Sequence, residues 1–186
     1  MTRWQPDAGN RLAQAALELY AENGFDATTS AAIAARAGVT ERTFFRHHAD
    51  KREVLFAGSM ALQDAMVEAV ADAPQAVAPM EVLKTSIKAA EALFPPVAQA
   101  RLRQSVIEAA PALVERELAK LESLSAALAA ALQDRGIAPS AGDVGARVAV
   151  AVFKVAYDRW IDEQSGLDFA VLVDRSFEEL ATLVRD

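Results

Sequence analysis

The sequence predicts an all-α protein: about nine helices, an N-terminal three-helix headpiece and a larger helical C-terminal part. Three observations predict it. Apolar residues recur three and four positions apart along most of the chain and nowhere alternate for long, which is the helical period and not the strand period. Proline and glycine fall between the periodic runs, where helices begin and end. Residues 28–52, TTSAAIAARAGVTERTFFRHHADKR, read as two short helices separated by a tight turn.

The elements follow in order. Leu12, Ala16, Leu19 and Tyr20 form the inner stripe of a first helix, which Asn23-Gly24 ends. Thr28 and Thr29 open a second helix over 29–37, because a threonine hydroxyl accepts from an orphan N–H of the first turn. Gly38 ends it, since glycine enters the left-handed conformation without a steric penalty. Thr40 opens a third helix over 40–47. A long helix is expected from near Lys51 to just before Pro74, with Leu55, Leu62 and Met66 inward. Pro79 opens the next, which carries Val82, Leu83, Ile87 and Leu93 until Pro95-Pro96 breaks the ladder. Another covers 97–109. Pro111 starts a long helix with Leu118, Leu121, Leu128 and Leu132 inward, closed by Arg135-Gly136. The last pair spans 141–164 and 168–185, divided by Ser165-Gly166.

The 186 residues divide most simply into 1–50, the headpiece, and 51–186, the larger helical domain. With 53% apolar residues the chain can bury a substantial core. It has no cysteine, which removes disulfides and thiolate ligands. The opening MTRWQPDAGN lacks the apolar run of a signal peptide, and no stretch is expected to reach the roughly 20 apolar residues of a membrane span. A cytoplasmic chain with no membrane partner is therefore expected. The net charge is −7. Residues 1–56 are balanced, seven basic against seven acidic, so the whole excess lies beyond them. Within 36–52 five basic residues face two acidic ones, a net of +3 where a phosphate backbone would be met. A solvated surface gives the same count.

The last two helices carry more apolar surface than one face needs. Val144, Val148, Val152 and Val155 line one side of the first, with Val150 and Phe153 elsewhere on it. Val173, Phe177, Leu180 and Val184 line the second, which Phe169, Leu172 and Leu183 widen. A helix apolar over more than one face is covered on more than one side. The cover is either the chain's own interior or a second copy, whose two helices would complete a four-helix bundle. The expected homodimer interface is Val148, Val152, Val155, Val173, Phe177, Leu180 and Val184.

The string TTSAAIAARAGVTERTFFRHHADKREVLF resembles the N-terminal DNA-binding domain of the TetR family of bacterial transcriptional repressors. The shared elements are the preceding LELYAENGFDATT, then AARAGV, TFFRH, the Lys of ADKR and the apolar LF after it, in order and at the right spacing over roughly 10–57. Downstream the resemblance is weak, although the helix count and length suit it. It implies a homodimer joined through the last two helices, a small-molecule pocket in the larger domain, and release of a double-stranded DNA operator when the effector binds.

A helix–turn–helix places its second helix in the major groove, N-terminal half toward the base edges. Arg42 is the first candidate for base reading, because its planar fork bridges guanine O6 and N7; a phosphate contact is the alternative. Glu41 can accept from cytosine N4 or complement the helix dipole. Thr43 and Arg46 suit a thymine methyl, a base edge or a phosphate. Thr29, Ser30, Thr40, His47 and Lys51 suit phosphates beside helix N-termini. Two positions depart from the family pattern. Phe45 stands where the family most often has a tyrosine whose hydroxyl reaches the backbone, which leaves Phe45 to stack on sugar or to pack. His48 stands where an apolar residue packs, and reads as a partly buried histidine. His47 and His48 are not expected to hold a metal, since adjacent helical positions diverge by roughly 100° and no third ligand accompanies them. Ala31 and Ala32 leave base reading to 41–46.

Candidate lining for an effector pocket is Met60, Met66, Phe94, Ile107, Phe153, Tyr157 and Trp160, each of which also reads as ordinary core. Phe153, Tyr157 and Trp160 share one helix face, and the last two add polar donors. Arg101, Arg103, Gln104 and Glu108 suit either ligand orientation or plain surface. A mainly hydrophobic small effector is expected. G-x-x-x-x-G-K, H-E-x-x-H, G-x-S-x-G and G-x-G-x-x-G signatures are absent, and both histidines fall inside the helix–turn–helix, so neither an enzyme nor a cofactor is expected. The alternative function is a helical small-molecule-binding protein that has lost DNA binding.

Overall fold

The computed structural model describes residues 8–162 and 166–185. Among these residues there are nine α-helices and no strand: α1 (Ala8–Asn23), α2 (Ser30–Arg36), α3 (Glu41–His47), α4 (Ser59–Asp72), α5 (Pro79–Ala89), α6 (Val97–Glu108), α7 (Pro111–Asp134), α8 (Pro139–Ile161) and α9 (Phe169–Arg185). Two 3-10 turns, Glu53–Phe56 and Ala90–Leu93, complete the order. The expected end of α8 at 164 and the Ser165 of the following turn lie outside the described residues.

The long helix expected from Lys51 does not form as one piece. The Asp50 carboxylate accepts from the Arg52 N–H at 2.7 Å and the Glu53 N–H at 3.2 Å, which closes a local turn and starts the Glu53–Phe56 3-10 element instead. Within Glu53–Asp72 an 18-residue window reaches a mean hydropathy of 1.3, although Glu53, Asp64, Glu68 and Asp72 interrupt the apolar residues. Its buried members serve cores: Val54, Leu55 and Phe56 in one, Met66 and Val70 in another.

The chain forms two compact units. The first comprises the described residues through Ser59 together with Arg101–Leu118. Its core holds Leu12, Ile33, Phe44, Val54, Ile107 and Leu113, all fully or almost fully buried. The second comprises Met60–Ala100 and residues from Ala119 onward. This is not the single cut at residue 50. Val106, Ile107, Ala110 and Leu113 bring 101–118 into the headpiece core, because three short helices alone bury too little apolar surface.

In the second unit α5, α8 and α9 pack together around Leu83, Ile87, Ala146, Ala149, Phe153, Phe169 and Val173. Small residues on α8 permit close approach: a Cβ on Gly145 would lie 3.4 Å from Leu83 Cδ1. Lys88 bridges to Asp174 at 2.7 Å and Arg159 to Glu179 at 2.8 Å. Arg135 closes the α4 C-terminus by donating to the carbonyls of Val70 at 3.0 Å, Ala73 at 2.5 Å and Pro74 at 2.9 Å.

Several residues expected inside lie outside. Leu93 is exposed because the 3-10 turn after Ala89 shifts the helical phase. Leu118 is 61% exposed, one position off the inward stripe that runs through Leu113, Glu117, Leu121, Leu124 and Leu128. Val144 is exposed opposite the small inward residues of α8. The expected dimer face divides. Val152, Val173 and Phe177 are buried in the chain's own core. Val148 and Leu180 keep partial exposure, and Val155 and Val184 are exposed.

Candidate nucleic-acid interface

Helices of seven residues do not hold themselves in water, so caps and anchors shape α2 and α3. Thr29 is the extended N-cap of α2 and accepts from the Ala32 N–H at 3.1 Å. Thr40 caps α3 in the same way, accepting from the Thr43 N–H at 3.2 Å. Between them Gly38 takes φ +69°. The Val39 N–H then donates to the Ala34 carbonyl at 2.9 Å and the Gly38 N–H to the Ala35 carbonyl at 3.1 Å, the paired bonds that close a helix on a left-handed residue. Thr28 does not open α2. It is buried, and its hydroxyl donates to the Gly24 carbonyl at 2.8 Å to lock the preceding turn.

Advancing 100° per residue, α3 turns Phe44 and His48 inward and Arg42 and Arg46 outward, with Phe45 and Thr43 on the two flanks. Phe44 is fully buried and anchors the helix to the core. Arg42, Thr43, Phe45 and Arg46 line one open depression. Glu41 and His47 are exposed beside it, as are Thr29 and Thr40 at the N-termini, while Ser30 is half-buried. Phe45 is 53% exposed, with its ring edge-on to Phe44 at 5.2 Å between centroids and 83° between planes. The Thr43 hydroxyl lies 3.0 Å from that of Thr40.

The five basic residues of 36–52 separate into spent and free. Arg36 forks onto Glu22, at 2.8 and 3.1 Å, and reaches Glu18 at 3.3 Å. Hydrogen bonding to Arg36 holds the Glu22 carboxyl below its ordinary range and raises the guanidinium. Arg52 pairs with Asp50 at 2.8 Å, and that bond lowers the Asp50 carboxyl. Lys51, expected on phosphate, turns inward instead. Its ammonium donates to the carbonyls of Phe25 at 2.8 Å and Thr28 at 2.9 Å and lies 4.2 Å from the centre of the Phe25 ring. The Tyr20 hydroxyl donates to the Lys51 carbonyl at 2.5 Å, and burial raises its phenol. Arg42 and Arg46 have neither ion pair nor hydrogen bond among the described residues.

His48 is buried against Phe44, and its Nε2 has no partner among the described residues. Burial first, and then the charge of His47, lowers its pKa, so the imidazole is neutral at pH 7.

The candidate effector residues do not gather in one place. Phe94, Phe153, Tyr157 and Trp160 do, with ring centroids 5.0–6.4 Å apart, and Phe169 joins them at 4.8 Å from Phe94. Met60 is 56% exposed on α4, Met66 is solid core of the second unit, and Ile107 is core of the first. Gln104 is buried, not surface.

Arg103, expected to orient a ligand or lie on plain surface, instead packs inside the first unit. Its Nε donates to the Leu55 carbonyl at 2.9 Å and its guanidinium lies 5.0 Å from the Phe56 ring centre, pinning the turn that follows α3. Arg116 pairs with Glu53 in that turn. No local pattern announces such contacts, since the partners are 47 and more positions apart.

Comparison with known proteins bears on this geometry. The family described as "Bacterial regulatory proteins, tetR family" matches residues 12–57. The family described as "MftR C-terminal domain" matches residues 77–185, more than half of the chain. The HTH-type transcriptional regulator TcmR of Streptomyces glaucescens is 29% identical over 154 residues, covering 78% of this chain and 67% of TcmR. Similar solved structures include the fatty acid degradation regulator FadR from Bacillus halodurans, 15% identical with a TM-score of 0.63 over 96% of both chains. Salmonella enterica GusR is 22% identical with a TM-score of 0.57, over 97% of this chain and 100% of its own. SmeT in complex with triclosan is 18% identical with a TM-score of 0.63, over 92% of this chain and 90% of its own. At these identities the structural likeness shows the fold.

Proposed function

Because the chain belongs to the TetR family of DNA-binding transcriptional regulators, and is no enzyme, we propose that it acts as a homodimeric repressor relieved by a small effector. Each subunit lays α3 in the major groove of one half of a palindromic operator. The observation that carries this reading is the pairing of a fully buried Phe44 with two uncommitted arginines, Arg42 and Arg46, on the opposite face of a capped helix. Arg42 reads a guanine edge and Arg46 a base or phosphate, while Thr29, Ser30, Thr40 and His47 meet phosphates.

A solvent-accessible stripe on α8 supports the dimer. Val144, Val148, Ala151 and Val155 recur at i, i+4, i+7 and i+11, and Leu180, Leu183 and Val184 extend it on α9. Two such pairs make a four-helix contact. The aromatic group around Phe94 supports a mainly hydrophobic effector in the second unit, and SmeT is a relative solved with triclosan. The protein then works in the cytoplasm, where its operator is.

The test is a genome-wide selection of DNA fragments bound by the full chain, followed by footprinting. The expected result is a two-fold site whose affinity falls steeply with salt. Arg42→Ala should lose about 1–3 kcal/mol at that site and relax one base preference. An asymmetric footprint, or binding indifferent to salt, overturns the reading.

A further inference from the structure

Phe45 is the one side chain lining the depression on α3 that carries no polar atom; Arg42, Thr43 and Arg46 each carry one. The ring is more than half exposed. It stands edge-on to the fully buried Phe44, the arrangement that aromatic pairs favour. The ring stands on the surface beside two guanidinium groups with no partner among the described residues.

That setting selects the occupant. Two uncommitted cations beside the ring fit a polyanion, and duplex phosphates supply it. Base edges in the major groove present donors and acceptors, with one apolar exception, the C5-methyl group of thymine. Deoxyribose offers the same surface at every position and would leave the ring without sequence information.

We infer that Phe45 reads the C5-methyl group of a thymine, next to the base edge taken by Arg42. The inference rests on α3 entering the major groove, as proposed above. Arg42 lies three positions before Phe45, so the two side chains are neighbours on one helix face. Thr43 sits on the opposite flank with its hydroxyl 3.0 Å from Thr40 and does not share the position of the ring. Phe45 is thus a specificity-determining contact and not a packing residue.

The experiment measures binding of the full chain to the duplex recovered by genomic selection. Each thymine is replaced singly by deoxyuridine, which removes the methyl group alone. One thymine in each half of the site should respond, with binding about fourfold weaker, the factor that one buried methyl group supplies. Phe45→Leu should keep a preference for thymine over uracil, and Phe45→Ala should lose it with an unchanged helical spectrum. Equal binding of thymine and uracil at every position overturns the assignment. So does a preference that survives in Phe45→Ala, or a Phe45→Leu protein indifferent to the methyl. A site that answers to 5-methylcytosine and ignores thymine overturns thymine as the source. Failure of the unaltered chain to select any sequence is a different result, and it overturns DNA binding itself.

Discussion

Lys51 and Arg42 are both cations within ten positions of each other, yet their surroundings give them opposite roles. The Lys51 ammonium closes the turn after α1 by reaching the carbonyls of Phe25 and Thr28. Replacing Lys51 with methionine should lower headpiece stability by about 2 kcal/mol, the range of a hydrogen bond to a charged group, as read by denaturant unfolding. The salt dependence of DNA binding should keep its slope, which would drop by one unit had the ammonium met a phosphate. His48 sets a pH limit of its own. Its folded pKa lies below the ordinary 6.5, so the unfolded chain binds its proton first. The stability it contributes is whole above pH 6.5 and is lost as pH falls from there through the folded value. Thermal melts should show this decline, and His48→Leu should flatten it. Glu22 and Asp50, whose carboxyls are lowered by Arg36 and Arg52, act in a separate window: their contributions hold above their ordinary values of 4.5 and 3.8 and are lost below them.

At the scale of the element, α2 and α3 depend on few points. Phe44→Ala should cost about 3–5 kcal/mol, because it empties the centre of the headpiece core. Gly38→Ala tests the backbone alone, since a Cβ there meets nothing within 4 Å while φ is +69°. It should cost about 1–2 kcal/mol in a melt of the full chain. These two helices were legible from sequence because threonine caps and a left-handed glycine are local signals. The segment after them was not. Asp50 captures the N–H groups of Arg52 and Glu53, and a periodic apolar run carries no sign of that competing turn.

For the whole molecule, the second-copy contact is the point to test. Phe177 belongs to the chain's own core, so a charge there would unfold the protein and reveal nothing about association. Val155 is 43% exposed and offers the cleaner probe. Val155→Glu should leave the helical spectrum intact and shift sedimentation from two chains to one. A variant that stays paired places the contact elsewhere. In sequence Val144, Val148, Val152 and Val155 read as a single face of α8. Only the small inward residues Gly142, Gly145, Ala146 and Ala149 decide which side of that helix faces its own chain.

The helical class, the order of the short helices and the outward position of Arg42 and Arg46 could be read from the chain alone, because periodicity and caps act over a few residues. The fate of each charge and the membership of each core could not. Arg36 is spent on Glu22 fourteen positions away, and Ile107 completes a core begun at Leu12. Contacts across such separations exist only once the chain has folded, and it is they that leave two arginines and one phenylalanine free to meet a partner.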